Sequence, residues 1–381
     1  MAEFTFTDEQ AQLRAAVRKF CAENFDEQTV RRLMESDPPS DAKDWARLGS
    51  ELGVLGLSVP EADGGAGGTL VDQAVAVEEL GASLACGPVF GTVFLAIPAL
   101  VAAQAGSVRD ELLAELVEGR RTAAFAVADR AGALDTVSIT ADDHALSGTV
   151  ERVVDAGAAD DLLVAAGGPD GIALYAVEAA GPGVERNLLA SLDPTRPQAT
   201  IGLSGAPGRL VAGPGEAERI IEHALQVGSA LLAAEQVGAG QHLLDLSVDY
   251  AKSRLQFGRP IGSFQAVKHR LADLLVDLEH ARSTAYHAVW ALTDGSDDPA
   301  LAVSIAQATC SAAFSRIAAD TIQVHGGIGF TWEHQAHLYL KRAATDAALL
   351  GTAEQHRSRV AELVLDTASA ERAPRVATGS A

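Results

Sequence analysis

The chain of 381 residues is short of almost everything that braces a fold from outside its core. It has three cysteines, Cys21, Cys86 and Cys310, far apart and in no CxxC pair. That excludes a disulfide framework and a cysteine metal site, and the expectation is reduced thiols in a cytoplasmic protein. Aromatic residues are only 5% of the chain, so a hydrophobic fraction of 48% must come mainly from Ala, Leu, Val and Ile. Basic residues are scarce: 29 Lys and Arg face 51 Asp and Glu, for a formal charge of −22. A chain so acidic is not expected to hold nucleic acid or an anionic membrane non-specifically. The opening MAEFTFTDEQ has no basic region followed by an apolar run, so no signal peptide is expected. No uninterrupted apolar run of bilayer length is read in the sequence, and no internal repeat is visible.

What is present falls into zones. Residues 1–120 read as an all-α domain. Asp8 to Phe25 places Leu13, Val17 and Phe20 at amphipathic spacing, Ser40 is the expected cap of a helix holding Trp45 and Leu48, and Asp72 to Leu84 carries Glu78 and Glu79. Residues 121–213 change texture: short apolar runs such as DLLVAAG, GIALYAVE and QATIGL, punctuated by Gly, Asp and Pro, predict an antiparallel β domain. Residues 214–366 return to helix. Glu216–Arg254, Gln265–Leu292 and Ala300–His325 are expected as long helices, followed by shorter ones near Glu333–Arg342 and Asp346–Leu365. Such lengths with short connections predict an antiparallel four-helix bundle. Gly228, Gly238 and Gly240 inside the first long helix predict close packing. The tail 367–381, small and polar, is expected to be disordered.

Two connections stand out. SRLQFGRPIGSFQ, Ser253 to Gln265, joins the first two long helices with far more chemistry than a turn needs. QVHGGIGFTWEH, Gln323 to His334, ends the third. Together with VPEADGGAG from Val59 and VEELG from Val77, these motifs give a chain that resembles the acyl-CoA dehydrogenase family over nearly its whole length. The resemblance implies an α+β fold of N-terminal helical domain, middle β domain and C-terminal four-helix bundle. It implies an FAD-dependent dehydrogenation of an acyl-CoA thioester, with FAD shared across a subunit interface and an electron-transfer acceptor to reoxidise it. By the same resemblance Arg254 pairs with the FAD pyrophosphate. Gln256, Phe257, Phe264, Gln265, Gln323, Gly326 and Gly327 complete contacts that one chain lends to its neighbour's cofactor. A guanidinium suits the first task because it is always charged and offers forked donors. Glycines let backbone approach a ligand.

The family's other half is missing. Its middle-domain flavin loop aligns with AVADRAGALD, Ala126 to Asp135, which lacks the usual Thr, Pro and Gly-Ser. Arg152 stands where a ring-covering Trp is usual and Val154 where a Thr is usual. Leu350 occupies the place of the catalytic glutamate, and leucine takes no proton. The alternative place for that base, on the first long helix, is Gly228, followed by Ser229. Glu235, two turns on, is the remaining weak candidate base, with a polar network as its plainer role.

Asp346 and Glu354 read as solvated or capping groups, and Asp193–Arg196 (DPTR) as a turn with a surface ion pair or a substrate contact. His334 and His337 lack a third ligand for a metal. His325 belongs with the glycine corner, and Cys310 reads as core. The leading expectation is a base-lacking subunit of a heteromeric acyl-CoA dehydrogenase, resembling the α2β2 enzymes of actinobacterial steroid side-chain breakdown. The alternatives are a self-sufficient homo-oligomer, a dimer of dimers using Glu235, and an inactive scaffold.

Overall fold

The computed structural model describes residues 6–366 apart from 131, 132, 135 and 296, so the expected disordered tail lies outside the described residues. Six helices build the N-terminal region: α1 (Asp8–Asn24), α2 (Glu27–Leu33), α3 (Ala42–Ser50), α4 (Leu70–Ala82), α5 (Ile97–Ala102) and α6 (Ser107–Val117). Thr7 and Thr69 each head a capping box, with Gln10 and Asp72. The cap of α3 is Asp41, which accepts from the Lys43 and Asp44 amides, and not the expected Ser40. A carboxylate there also meets the positive end of the helix dipole. Between α4 and α5 the chain winds as a π-helix, Val89–Ala96, every residue of it buried.

Ten strands follow: β1 (Ala123–Ala126), β2 (Asp129–Arg130), β3 (Ala133–Leu134), β4 (Ile139–Asp142), β5 (Ala145–Val154), β6 (Asp161–Gly168), β7 (Gly171–Glu178), β8 (Val184–Leu188), β9 (Gln198–Pro207) and β10 (Arg209–Ala212). The main sheet has the order β10-β7-β6-β4-β5-β9-β8, with β1 also on β6. Its hairpins are antiparallel as expected, but β1 and β4 run parallel to β6, so the sheet is mixed. Alternation splits β1 between two cores: Ala123 and Phe125 join the helical core, Ala124 and Ala126 a second one.

The C-terminal region is α7 (Ala217–Ser253), α8 (Gln265–Asp294), α9 (Pro299–His325), α10 (Ala336–Asp346) and α11 (Ala353–Ala361). The three long helices pack on one another, while α10 and α11 both lie on α9. Because α8 runs back between them, α7 and α9 point the same way. A ladder of polar pairs fixes their register: Gln236 to Ser311, Ser247 to Thr321, and Tyr250 stacked on His325. The expected close packing at Gly238 is real: a Cβ there would lie 1.8 Å from the Glu78 carbonyl oxygen on α4. One segment, Pro299–Phe330, is apolar and long enough to cross a membrane by length and composition, and 61% of its most apolar window is buried inside the bundle.

Candidate functional site

The α7–α8 connection is a built object. After Ser253 the chain forms a two-residue hairpin: β11 (Leu255–Gln256) pairs with β12 (Arg259–Pro260), Leu255 opposite Pro260 and Gln256 opposite Arg259. Its two central residues, Phe257 (φ +53°) and Gly258 (φ +77°), are both left-handed, which defines a type I′ turn. Glycine is at home there, but a bulky ring is an outlier. Phe257 is 92% exposed, its ring in a T-shaped contact with Phe264 at 6.2 Å between centroids. The Arg259 guanidinium lies 4.0 Å over the Phe264 ring. Gln265, which opens α8, is exposed. Arg254 is exposed, and no group among the described residues binds its side chain.

The second corner caps α9. His325 is buried, while Gln323, Gly326 and Gly327 are exposed. Gly326 takes φ +61°, ψ −139°, a conformation open to glycine alone, and a Cβ on Gly326 or Gly327 would meet nothing within 4 Å. Since α7 and α9 end side by side, both corners share one end of the bundle. The eight residues Arg254, Gln256, Phe257, Phe264, Gln265, Gln323, Gly326 and Gly327 therefore lie toward the same end although 73 positions separate the ends of the set in sequence. Open space, two glycines, spare rings and an unpaired guanidinium suit an anionic, aromatic cofactor such as FAD.

The places where a base would stand are filled. Leu350 is buried in the main core with φ +53°, and the His356 Nε2–H donates to its carbonyl at 2.8 Å. Thr352 closes a capping box with Gln355 to start α11. At Gly228 a Cβ would lie 2.5 Å from Leu95 Cδ2 and 3.2 Å from the Phe94 carbonyl oxygen, so a glutamate there would have to displace Leu95. Arg152 sits exposed at a bulge between Val150 and Val153, and Val154 is buried. Of the run from Ala126 to Asp135, residues 131, 132 and 135 lie outside the described residues.

Beside Leu350 lies a buried ion lattice that links distant segments. Arg196 donates to both Glu235 oxygens at 2.6 and 2.8 Å and to Asp346 Oδ1 at 2.9 Å. Arg342 donates to Asp193 at 2.6 Å, to Glu235 Oε1 at 2.7 Å, and to the Thr195 hydroxyl. The Arg196 guanidinium also lies 5.1 Å from the centre of the Phe90 ring, on the π-helix.

All six charged and hydroxyl partners are buried, which corrects two expectations: DPTR is no surface turn, and Asp346 is not solvated. Glu235 is buried and accepts from two guanidiniums, the polar network expected as its plainer role. Burial pushes the Asp346 carboxyl up to about 7 against the pull of Arg196 and Arg342, and its Oδ2 has no hydrogen-bond partner. Burial would raise Asp193 too, but Arg342 and the Thr195 hydroxyl outweigh it and hold that carboxyl below its usual range. Asp155, whose carboxylate accepts from the Gly91 amide at 2.8 Å, is pushed by burial to about 6.

The lattice is marked in the sequence by charges set inside apolar runs, as Glu235 is in SALLAAEQVGAG, where a polar network is its plainer expected role; its partners Asp193, Arg196, Arg342 and Asp346 carry no such mark together. Glu354 is exposed in the first turn of α11, as expected of a capping group. Cys310 is buried as expected, its thiol pushed up to about 12 by burial.

Comparison with known proteins gives one answer from several sides. The model of the acyl-CoA dehydrogenase N-terminal domain matches residues 7–120, and that of the acyl-CoA dehydrogenase C-terminal domain matches residues 218–365. Over 343 residues the chain is 36% identical to acyl-CoA dehydrogenase IpdE2 of Mycobacterium tuberculosis (strain ATCC 25618 / H37Rv), covering 90% of this chain and 93% of that protein. Among solved structures, a variant of the Tcur3481-Tcur3483 steroid ACAD superposes with a TM-score of 0.85 at 30% identity, over 95% of this chain and 99% of that one. The ChsE4-ChsE5 complex from Mycobacterium tuberculosis gives 0.86 at 28% identity, over 98% of this chain and 100% of the other.

Proposed function

This chain belongs to the acyl-CoA dehydrogenase family, whose members are FAD-dependent oxidoreductases, and from that premise we propose that it is the base-lacking subunit of a heteromeric enzyme. It lends its Arg254 and Gln323–Gly327 corners to a flavin seated in a partner subunit of the same fold. That partner supplies the carboxylate that removes the α proton of an acyl-CoA thioester. The chemistry supplied by FAD when bound is acceptance of the β hydride, and an electron-transfer acceptor then takes the electrons. We assign the enzyme to the cytoplasm and to lipid or steroid breakdown. The two similar structures whose names join two proteins, Tcur3481-Tcur3483 and ChsE4-ChsE5, support an unlike pair.

The work of this chain's own residues follows from their chemistry. Arg254 brings a permanent charge with forked donors to a diphosphate, where charge-assisted bonds are the strong ones. Gln323 and Gln265 offer amides, and the bare backbone at Gly326 and Gly327 lets the ligand approach closely. Phe257 and Phe264 offer ring faces to an adenine. None of these groups moves a proton.

One observation carries the reading: the three positions weighed for a base are occupied otherwise, Leu350 in the core, Gly228 against Leu95, and Glu235 paired with two arginines. Arg254→Ala in the complex co-expressed with its partner tests it. The expected result is loss of most bound FAD with the assembly intact. FAD retained in full by that variant would favour the inert scaffold.

A further inference from the structure

Resting on the reading that the two corners hold FAD, we propose that Tyr250 and His325 are positioning residues that set the spacing between the corners. Each belongs to one of them. The Arg254 amide donates to the Tyr250 carbonyl at 2.8 Å, so Tyr250 anchors the start of the hairpin. His325 directly precedes Gly326 and Gly327. Their rings stack at 4.4 Å between centroids and 30° between planes, joining the end of α7 to the end of α9. The nearest other ties between the two helices are the hydrogen bonds of Ser247 to Thr321 and of the Thr321 hydroxyl to the Leu243 carbonyl.

The state of His325 is fixed by its neighbours. Its Nδ1 lies 2.8 Å from the Thr321 carbonyl, which can only accept, so Nδ1 carries the hydrogen. Nε2 is then bare, buried and without a partner. The groups around it are Tyr250 on α7 and His334, whose ring centre is 4.3 Å away before α10. His334 in turn feels Glu27 and Arg31 of α2 and His337 of α10. Among the described residues no carboxylate touches His325 itself. A proton on Nε2 would create a buried N–H with no acceptor, facing another imidazole. Burial holds His325 below the usual histidine value, opposed by its bond to Thr321. The stacked pair is thus built for the neutral ring. At acid pH, below the usual histidine range, protonation works against the stack.

The test uses the FAD-loaded assembly that contains this chain, whether formed with itself or with a partner. FAD dissociation constants are measured between pH 7.5 and 5.5 for wild type, Tyr250→Phe, Tyr250→Leu and His325→Phe. Tyr250→Phe keeps the ring and should match wild type. Tyr250→Leu removes it and should weaken FAD binding roughly two- to tenfold, the range for an aromatic pair. Wild type should lose affinity toward pH 5.5, whereas His325→Phe, which stacks but takes no proton, should not. Equal FAD affinity and equal pH profiles for all four would overturn the positioning role. If Arg254→Ala also left FAD bound, the corner reading itself would fall; if that variant lost FAD, only the positioning role would.

Discussion

At the residue scale, Leu350 and Asp346 each have a consequence that can be measured. Leu350 stands in the base position but has been absorbed into the main core. Restoring the family glutamate should therefore not restore catalysis. Leu350→Glu should cost about 3 kcal/mol of stability, the scale of an unpaired buried charge. It should leave the chain alone without turnover, checked by thermal unfolding and an acyl-CoA dye-reduction assay.

Asp346 supplies a titration. Its carboxyl is raised from 3.8 to about 7 by burial, against the pull of Arg196, so the folded state holds a proton that the unfolded state releases. That contribution is fully present near pH 4 and is lost as pH rises through about 7. Asp346→Asn cannot ionise and lacks this loss. Relative to wild type, the variant should thus have a higher melting temperature at pH 8 than at pH 5. A difference independent of pH would show that Asp346 does not titrate in the fold.

At the element scale, the long helices were legible and the short ones less so. The first long helix runs Ala217–Ser253 against an expected Glu216–Arg254, because its length and its glycine-hairpin end are written locally. The last two were expected at Glu333–Arg342 and Asp346–Leu365 but form at Ala336–Asp346 and Ala353–Ala361. There the boundary is set by the left-handed Leu350–Gly351 pair and the Thr352 capping box, which a count of apolar residues overlooks.

The hairpin of β11 and β12 gives the sharpest test at this scale. Its type I′ turn prefers Asn-Gly but carries Phe257-Gly258, and a left-handed non-glycine residue costs about 1–2 kcal/mol. Phe257→Asn should stabilise the isolated chain by about 0.5–1 kcal/mol. The same change should weaken FAD binding in the assembly, read by denaturant unfolding and by flavin retention on dilution. A change that did neither would mean that Phe257 serves no ligand.

At the scale of the whole molecule, the candidate site divided into a legible half and an illegible one. The corners at Arg254 and Gln323–Gly327 are continuous motifs, so sequence revealed them. The lattice of Asp193, Arg196, Glu235, Arg342 and Asp346 joins the loop between β8 and β9, the middle of α7, and α10. Its bonds span up to 150 positions, and only the folded chain brings them together. The lattice and core side chains fill the interior near Leu350, while the proposed cofactor contacts at Arg254 and Gln323–Gly327 are exposed.

The direct measurement is the flavin content of this chain purified alone and co-purified with its partner. The expected result is little FAD and no acyl-CoA turnover alone, and about one FAD per two chains, with turnover, in the complex. One FAD per chain with turnover from this protein by itself would contradict the account.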